Sequence, residues 1–121
     1  YVGDGHALQG DGEVSGTAAE TFLSGTVKVT LHKDQESNEF YRSRWPRAET
    51  PSHYIAIGLH PDLDEAARLA TNEMVEFLVG EKQMSPEDAY IVCSLAVDLR
   101  VTQLVDGTKG VHAMIAKSIF E

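Results

Sequence analysis

Apolar and polar residues alternate over 26–32. Val27, Val29 and Leu31 fall on one side, and Lys28, Thr30 and His32 on the other. That period of two predicts a half-buried strand. Residues 34–38 are polar and read as a turn, and 40–48, with Trp45 and Pro46, as an edge strand. A stronger strand is predicted over 52–58, where His53-Tyr54-Ile55-Ala56-Ile57 is rich in aromatic and β-branched residues.

The period then changes. Leu63, Ala66, Ala67, Ala70, Met74, Phe77 and Leu78 recur at helical spacing, with Asp64, Glu65, Arg68, Glu73 and Glu76 assigned to the other face. Asp62, three residues before Glu65, is the expected cap, and Gly80 the expected stop. Ser85-Pro86 opens a second helix, with Ala89, Val92, Cys93, Ala96 and Val97 on its stripe and an end near Leu99. Strands are predicted over 101–105 and 111–115, joined through an Asp106-Gly107 turn. In the last strand Val111, Ala113 and Ile115 alternate with His112 and Met114. The fold class is therefore α+β, a mostly antiparallel sheet with two helices packed on it. The chain divides into a glycine-rich and strand segment, 1–58, and a helix-helix-strand-strand segment, 59–121.

Glycine changes the picture at the start. Gly3, Gly5, Gly10, Gly12, Gly16 and Gly25 punctuate the first 25 residues, which excludes a helix and predicts short extended pieces joined by tight turns. The 121 residues fit one domain by the usual range of about 100–200. Hydrophobic residues at 42% and charged residues at 24% are globular values. Nineteen acids against ten bases give a net charge of −9, which argues against nucleic acid and anionic membrane as partners. No apolar run reaches the roughly 20 residues that cross a bilayer. The single cysteine, Cys93, excludes an intramolecular disulfide and fits a reducing compartment. The chain begins Tyr1-Val2-Gly3-Asp4, without methionine, and reads as a piece of a longer protein.

Candidate chemistry concentrates in Gly3-Asp4-Gly5-His6-Ala7-Leu8-Gln9-Gly10-Asp11-Gly12-Glu13. In a strand Asp4 and His6 project on one face. A carboxylate and a neutral imidazole so placed can share a divalent metal, and mixed nitrogen and oxygen ligation suits zinc. Glu13 is then placed to act as general base on metal-activated water. The competing reading is a set of Asp-Gly turns with solvated carboxylates. A calcium site without catalysis is a further alternative, although the acids match no EF-hand loop. Gly10-Asp11-Gly12 is neither a dinucleotide fingerprint nor a Walker loop. Cys93, mid-helix on the apolar stripe, reads as core packing. His112 faces away from Val111, Ala113 and Ile115 and can reach a site, against the plainer reading of a surface histidine. His32, His53 and His60 read as structural. Arg100, Gln103, Asp106 and Lys109 read as salt-bridging residues, and Asp62, Asp64 and Glu65 as cap and helix-dipole residues.

Three stretches together resemble the acetamidase/formamidase family. They are Gly3 to Glu20, the Ser85-Pro86-Glu87-Asp88-Ala89-Tyr90 helix start, and Asp98 to Gly107 continuing as Lys109 to Ile115. The resemblance implies hydrolysis of short aliphatic amides, such as formamide and acetamide, to carboxylate and ammonia. It implies a divalent metal, with zinc expected, and a cytoplasmic homo-oligomer of which this chain is the C-terminal part. The family motif falls on Asp4, His6, Gln9, Asp11 and Glu13. In the mechanism this implies, His6 with Asp4 or Asp11 holds the metal and Glu13 is the catalytic base; Gln9 of the motif and His112 of the last strand are the candidate substrate contacts. An upstream His-Gly-Gly-Asn motif of the family has no counterpart in this sequence. Ala116 stands where the family often has proline. A second reading follows: a non-catalytic fragment or subunit that contributes half a site and an oligomer interface, its missing N-terminal part being a partner.

Overall fold

Two side-chain caps place the helices. In the computed structural model, which describes residues 3–31 and 45–121, Asp62 accepts from the Glu65 amide and opens α1, Leu63–Lys82. Ser85 accepts from the Asp88 amide and opens α2, Pro86–Ala96, with proline in its first turn. Each cap satisfies one of the amides that a helix start leaves without a partner. The end of α1 differs from expectation. Gly80 lies inside the helix, and the chain turns at Gln83, whose φ is 56°. The amides of Gln83 and Met84 both return to the Leu78 carbonyl, so a C-terminal motif sets the stop, not the nearest glycine.

The strands are β1, Gly5–Leu8; β2, Ala19–Thr21; β3, Arg47–Glu49; β4, His53–His60; β5, Val97–Gln103; and β6, Lys109–Ala116. β1 and β2 form a two-stranded antiparallel ribbon, and the others an antiparallel sheet in the order β3-β4-β6-β5. The expected α+β class is therefore present. α2 ends at Ala96 instead of near Leu99, and β5 starts at once at Val97 instead of Val101. Pairing of Val97 with Ile115 and Leu99 with Ala113 recruits residues whose spacing also suits a helix. The strand expected over 26–32 is not formed over 26–31, and His32 lies outside the described residues. Val27, Val29 and Leu31 are 69%, 88% and 76% exposed. Alternation makes a strand only when a neighbour takes up its backbone groups, and among the described residues none does. Of the segment expected as an edge strand over 40–48, the described part contributes β3 at one edge of the sheet.

The core lies between α1 and one face of β4 and β6. Tyr54, Ala56 and Gly58 stand opposite Ile115, Ala113 and Val111. Against them pack Ala66, Ala70, Met74, Phe77 and Leu78 of α1, with Ala89 and Cys93 of α2 alongside. Glu73 departs from its expected solvent face: it is buried, its carboxylate 3.2 Å from Arg47 of β3. No described helix is long and apolar enough to cross a membrane.

Gly58 is where helix and sheet meet most closely. A methyl group there would overlap the Ala66 carbonyl oxygen and the Ala70 amide nitrogen, backbone atoms that cannot swing aside. Gly58→Ala is expected to cost about 2–3 kcal/mol through overpacking. A lower midpoint in urea denaturation measures it, and an unchanged midpoint contradicts so close a packing.

Candidate metal centre

The ribbon of β1 and β2 builds the site. His6 stands directly opposite Glu20, and the register shifts between His6 and Leu8. Such a bulge re-aims side chains at the rim of a ribbon. Alternation along the extended chain puts Asp4 on the His6 face. The result is one imidazole between two carboxylates. His6 Nε2 lies 3.4 Å from Asp4 Oδ2 and 3.1 Å from Glu20 Oε2. One ligand atom from each of the three falls within a 4.8 Å group. Ligands on a tetrahedral zinc, at bond lengths near 2.1 Å, sit about 3.4 Å apart, close to the two His6 distances, so the donor set suits a divalent cation.

Gln9 fixes the imidazole from behind. Its Oε1 lies 2.8 Å from His6 Nδ1. A carbonyl oxygen only accepts, so Nδ1 carries the proton and Nε2 is left to face the two carboxylates. Holding the far ring nitrogen in this way is how metal-binding histidines are commonly oriented. The Gln9 hydrogen bond is the first cause that raises the His6 pKa above the usual 6.5, followed on the same side by the charges of Glu20 and Asp4. Hydrogen bonds lower the Asp4 pKa, first to its own backbone and then to Glu20 and His6. The group is open to solvent, with side chains 26%, 77% and 53% exposed for His6, Asp4 and Glu20.

The other residues singled out in the sequence lie elsewhere. Asp11 is outside the trio and faces Arg100 of β5 at 3.9 Å. Glu13 occupies the turn between β1 and β2, at a φ of 40° beside Gly12 at 91°. Its amide donates to the Gly10 carbonyl. The turn docks on the end of β5 through the Leu104 amide, which donates to the Gly12 carbonyl at 2.8 Å. His112 stands opposite Arg100 on β6, on the sheet face turned away from α1. Burial pushes its pKa down; Asp11 pulls it upward, and Arg100 lowers it further. The structure thus forms two separate polar groups: Asp4, His6, Gln9 and Glu20 on the ribbon, and Asp11, Arg100 and His112 where the turn meets the sheet.

Glu20 is the residue that sequence reasoning missed. It lies in the stretch that carries the family resemblance, yet only the antiparallel return of the chain reveals it as the partner of His6. Several plainer readings hold. Cys93 is buried, and burial pushes its thiol up. His53 bonds Ser52 Oγ at 2.8 Å, and His60 Nδ1 accepts from the Asp62 amide at 3.0 Å. Glu65 pairs with Arg68 at 2.7 Å. Of the polar series near β5, only Arg100 forms a salt bridge among the described residues. Lys109 donates to the Pro61 carbonyl and Gln103 to that of Thr108.

The model of the acetamidase/formamidase family matches residues 1–121. Among solved structures, the acetamidase from Yersinia enterocolitica is 27% identical with a TM-score of 0.75, over 96% of this chain and 33% of that one. The acetamidase from Bacillus halodurans shares the fold at 24% identity and a TM-score of 0.66, over 95% of this chain and 37% of that one. No curated protein sequence matches. The chain spans about a third of the length of these solved acetamidases. By a match over all of its residues, the chain belongs to the acetamidase/formamidase family.

Proposed function

We propose that this chain carries the cation-holding part of a hydrolase that cleaves short aliphatic amides, formamide and acetamide among them, to a carboxylate and ammonia. The observation that supports this most is the meeting of Asp4, His6 and Glu20 within 4.8 Å. Asp4 Oδ2, His6 Nε2 and Glu20 Oε2 are the ligands in this reading, zinc is the preferred ion for a mixed nitrogen and oxygen set, and Gln9 orients the imidazole. A divalent cation bound there supplies a Lewis acid that brings water toward ionisation at neutral pH and polarises an amide oxygen. Glu13 is the base: it takes a proton from the attacking water and delivers it to the departing nitrogen. His112, neutral through burial, contacts the substrate, and Asp11 holds the glycine-rich turn against Arg100. So small a substrate brings little binding energy, and selection falls to the dimensions of the pocket. The lone buried thiol suits the reducing cytoplasm, where we place the protein as a homo-oligomer.

A second reading is favoured by one observation. Because the chain spans about a third of the solved acetamidases, it suits a non-catalytic portion that provides half a site and an oligomer interface.

The experiment is a zinc titration of the purified chain, followed by ammonia release from formamide with and without a chelator. The amidase reading expects one zinc per chain and chelator-sensitive release. Zinc uptake without release supports the half-site reading, and absence of uptake overturns both the ligand set and the mechanism. Where release is seen, Glu13→Gln should lower kcat by about 10²–10⁴-fold, the usual share of a general base, with zinc uptake unchanged. Near-normal turnover would remove Glu13 from this role.

A further inference from the structure

We propose that the outer edge of β5 is a docking strand for a second copy of this chain, paired antiparallel about Leu99. β5 ends the sheet, so its outer backbone groups pair with no strand among the described residues. A long exposed edge of this kind is a template for another strand. The side of the sheet that carries the helices is also apolar and open at this edge. Tyr90, Ile91 and Leu95 of α2 are 66%, 54% and 80% exposed, and Leu99 of β5 is 50% exposed. Between α2, α1 and β5 lies a cavity of about 320 Å³ lined by Thr71, Tyr90, Cys93, Ser94, Val97 and Leu99.

Charge identifies the occupant. The core of β5 reads Val97-Asp98-Leu99-Arg100-Val101. This run is complementary to itself when reversed. Two copies related by a two-fold axis at Leu99 bring Val97 opposite Val101, Leu99 opposite Leu99, and Asp98 opposite Arg100 twice over. Asp98 and Arg100 stand opposite Met114 and His112, on the face turned away from α1, while Leu99 stands opposite Ala113 of the core. The pairing therefore lays both opposite-charge pairs on one face and both leucines on the other, under the apolar side of α2. Neighbouring two-fold registers are worse. An axis at Asp98 sets aspartate against aspartate, and an axis at Arg100 sets arginine against arginine. A register displaced by one residue turns the two helical layers to opposite faces. One register satisfies charge and layering together, as a self-complementary two-fold interface requires. It makes a continuous eight-stranded sheet from two four-stranded ones, with the α2 helices closing over the seam. Arg100 has five N–H donors, so it can face Asp98 of the second copy and still reach Asp11. The seam thereby touches the glycine-rich turn that carries Glu13.

Sedimentation of the purified chain over a range of concentrations tests this, with each variant checked for folding by circular dichroism. The unaltered chain is expected to dimerise. Asp98→Arg sets arginine against Arg100 and should give a monomer, and the double exchange Asp98→Arg, Arg100→Asp should restore the dimer. Leu95→Glu, at a position too exposed to affect folding, should also dissociate it. Opposed residues of an antiparallel pair have Cα atoms about 4.5–5.5 Å apart, within disulfide range. Leu99→Cys should therefore cross-link two chains under mild oxidation, whereas the unaltered chain, with only buried Cys93, should not. A chain that is monomeric at every concentration overturns the proposal and assigns this edge to other parts of the family's longer fold. A dimer indifferent to Asp98→Arg and to Leu95→Glu overturns it as well. Failure of the double exchange to restore association, or of Leu99→Cys to cross-link, overturns the register about Leu99.

Discussion

Glu73→Ala is expected to lower the stability of the fold by about 3–5 kcal/mol, the usual cost of removing one partner of a buried ion pair. The Glu73 and Arg47 side chains are each only 7% exposed, with Oε2 and Nη2 3.2 Å apart. The same Nη2 donates to the Glu73 carbonyl at 3.3 Å, and the guanidinium lies 5.9 Å from the centre of the Phe77 ring. Alanine at 73 leaves a positive charge against an aromatic surface without its carboxylate. The pair also ties β3, a three-residue edge strand, to the middle of α1, so its loss should loosen that edge first. Urea denaturation measures the effect as a lower midpoint at unchanged slope. Glu76→Ala, exposed on the same helix, should stay within about 0.5 kcal/mol. Replacing both Arg47 and Glu73 by methionine should cost far less than Glu73→Ala alone, because no charge is then stranded. A loss below about 1 kcal/mol for Glu73→Ala would mean that other groups, or water, take over the guanidinium.

His6→Ala is expected to weaken zinc uptake at least about a hundredfold, since it removes the one nitrogen donor of the trio. Gln9→Ala should be milder, about 10–100-fold, because it frees the ring without removing the donor. The order of the two effects is the informative part. If Gln9→Ala matched or exceeded His6→Ala, Gln9 would be a ligand and the assignment of Nε2 would be wrong. Uptake should also depend on pH in a definite direction. Proton and cation compete for His6 Nε2, so the affinity for zinc is greatest above the His6 pKa and weakens as the pH drops through it. The raised pKa of His6 places this fall above the usual imidazole value. Calorimetric titrations at several pH values follow it, and an affinity that stays flat down to pH 5 would exclude His6 as a ligand.

What the sequence alone determined is local. Asp62 and Ser85 mark both helix starts because a cap is a contact over three residues, legible wherever the chain goes. Val111, Ala113 and Ile115 announce the buried face of β6 because alternation follows from the geometry of the strand itself. The same rule puts Asp4 and His6 on one face, and the glycine-rich motif around them carries the family resemblance. Tertiary structure decided everything that depends on a distant partner. Glu20 joins His6 only through the antiparallel register of β1 and β2. Glu73 looks like a solvent residue until Arg47 of β3 arrives to pair with it. Asp11 sits in the motif yet turns to Arg100, because the turn docks on the end of β5. Val97 leaves the helical pattern because β6 offers it a strand partner, whereas Val27, Val29 and Leu31 alternate just as clearly and gain none among the described residues. Near-neighbour sterics and hydrogen bonds write the caps and periods into the chain, while register, burial and charge pairing are fixed only when segments far apart in sequence share one surface.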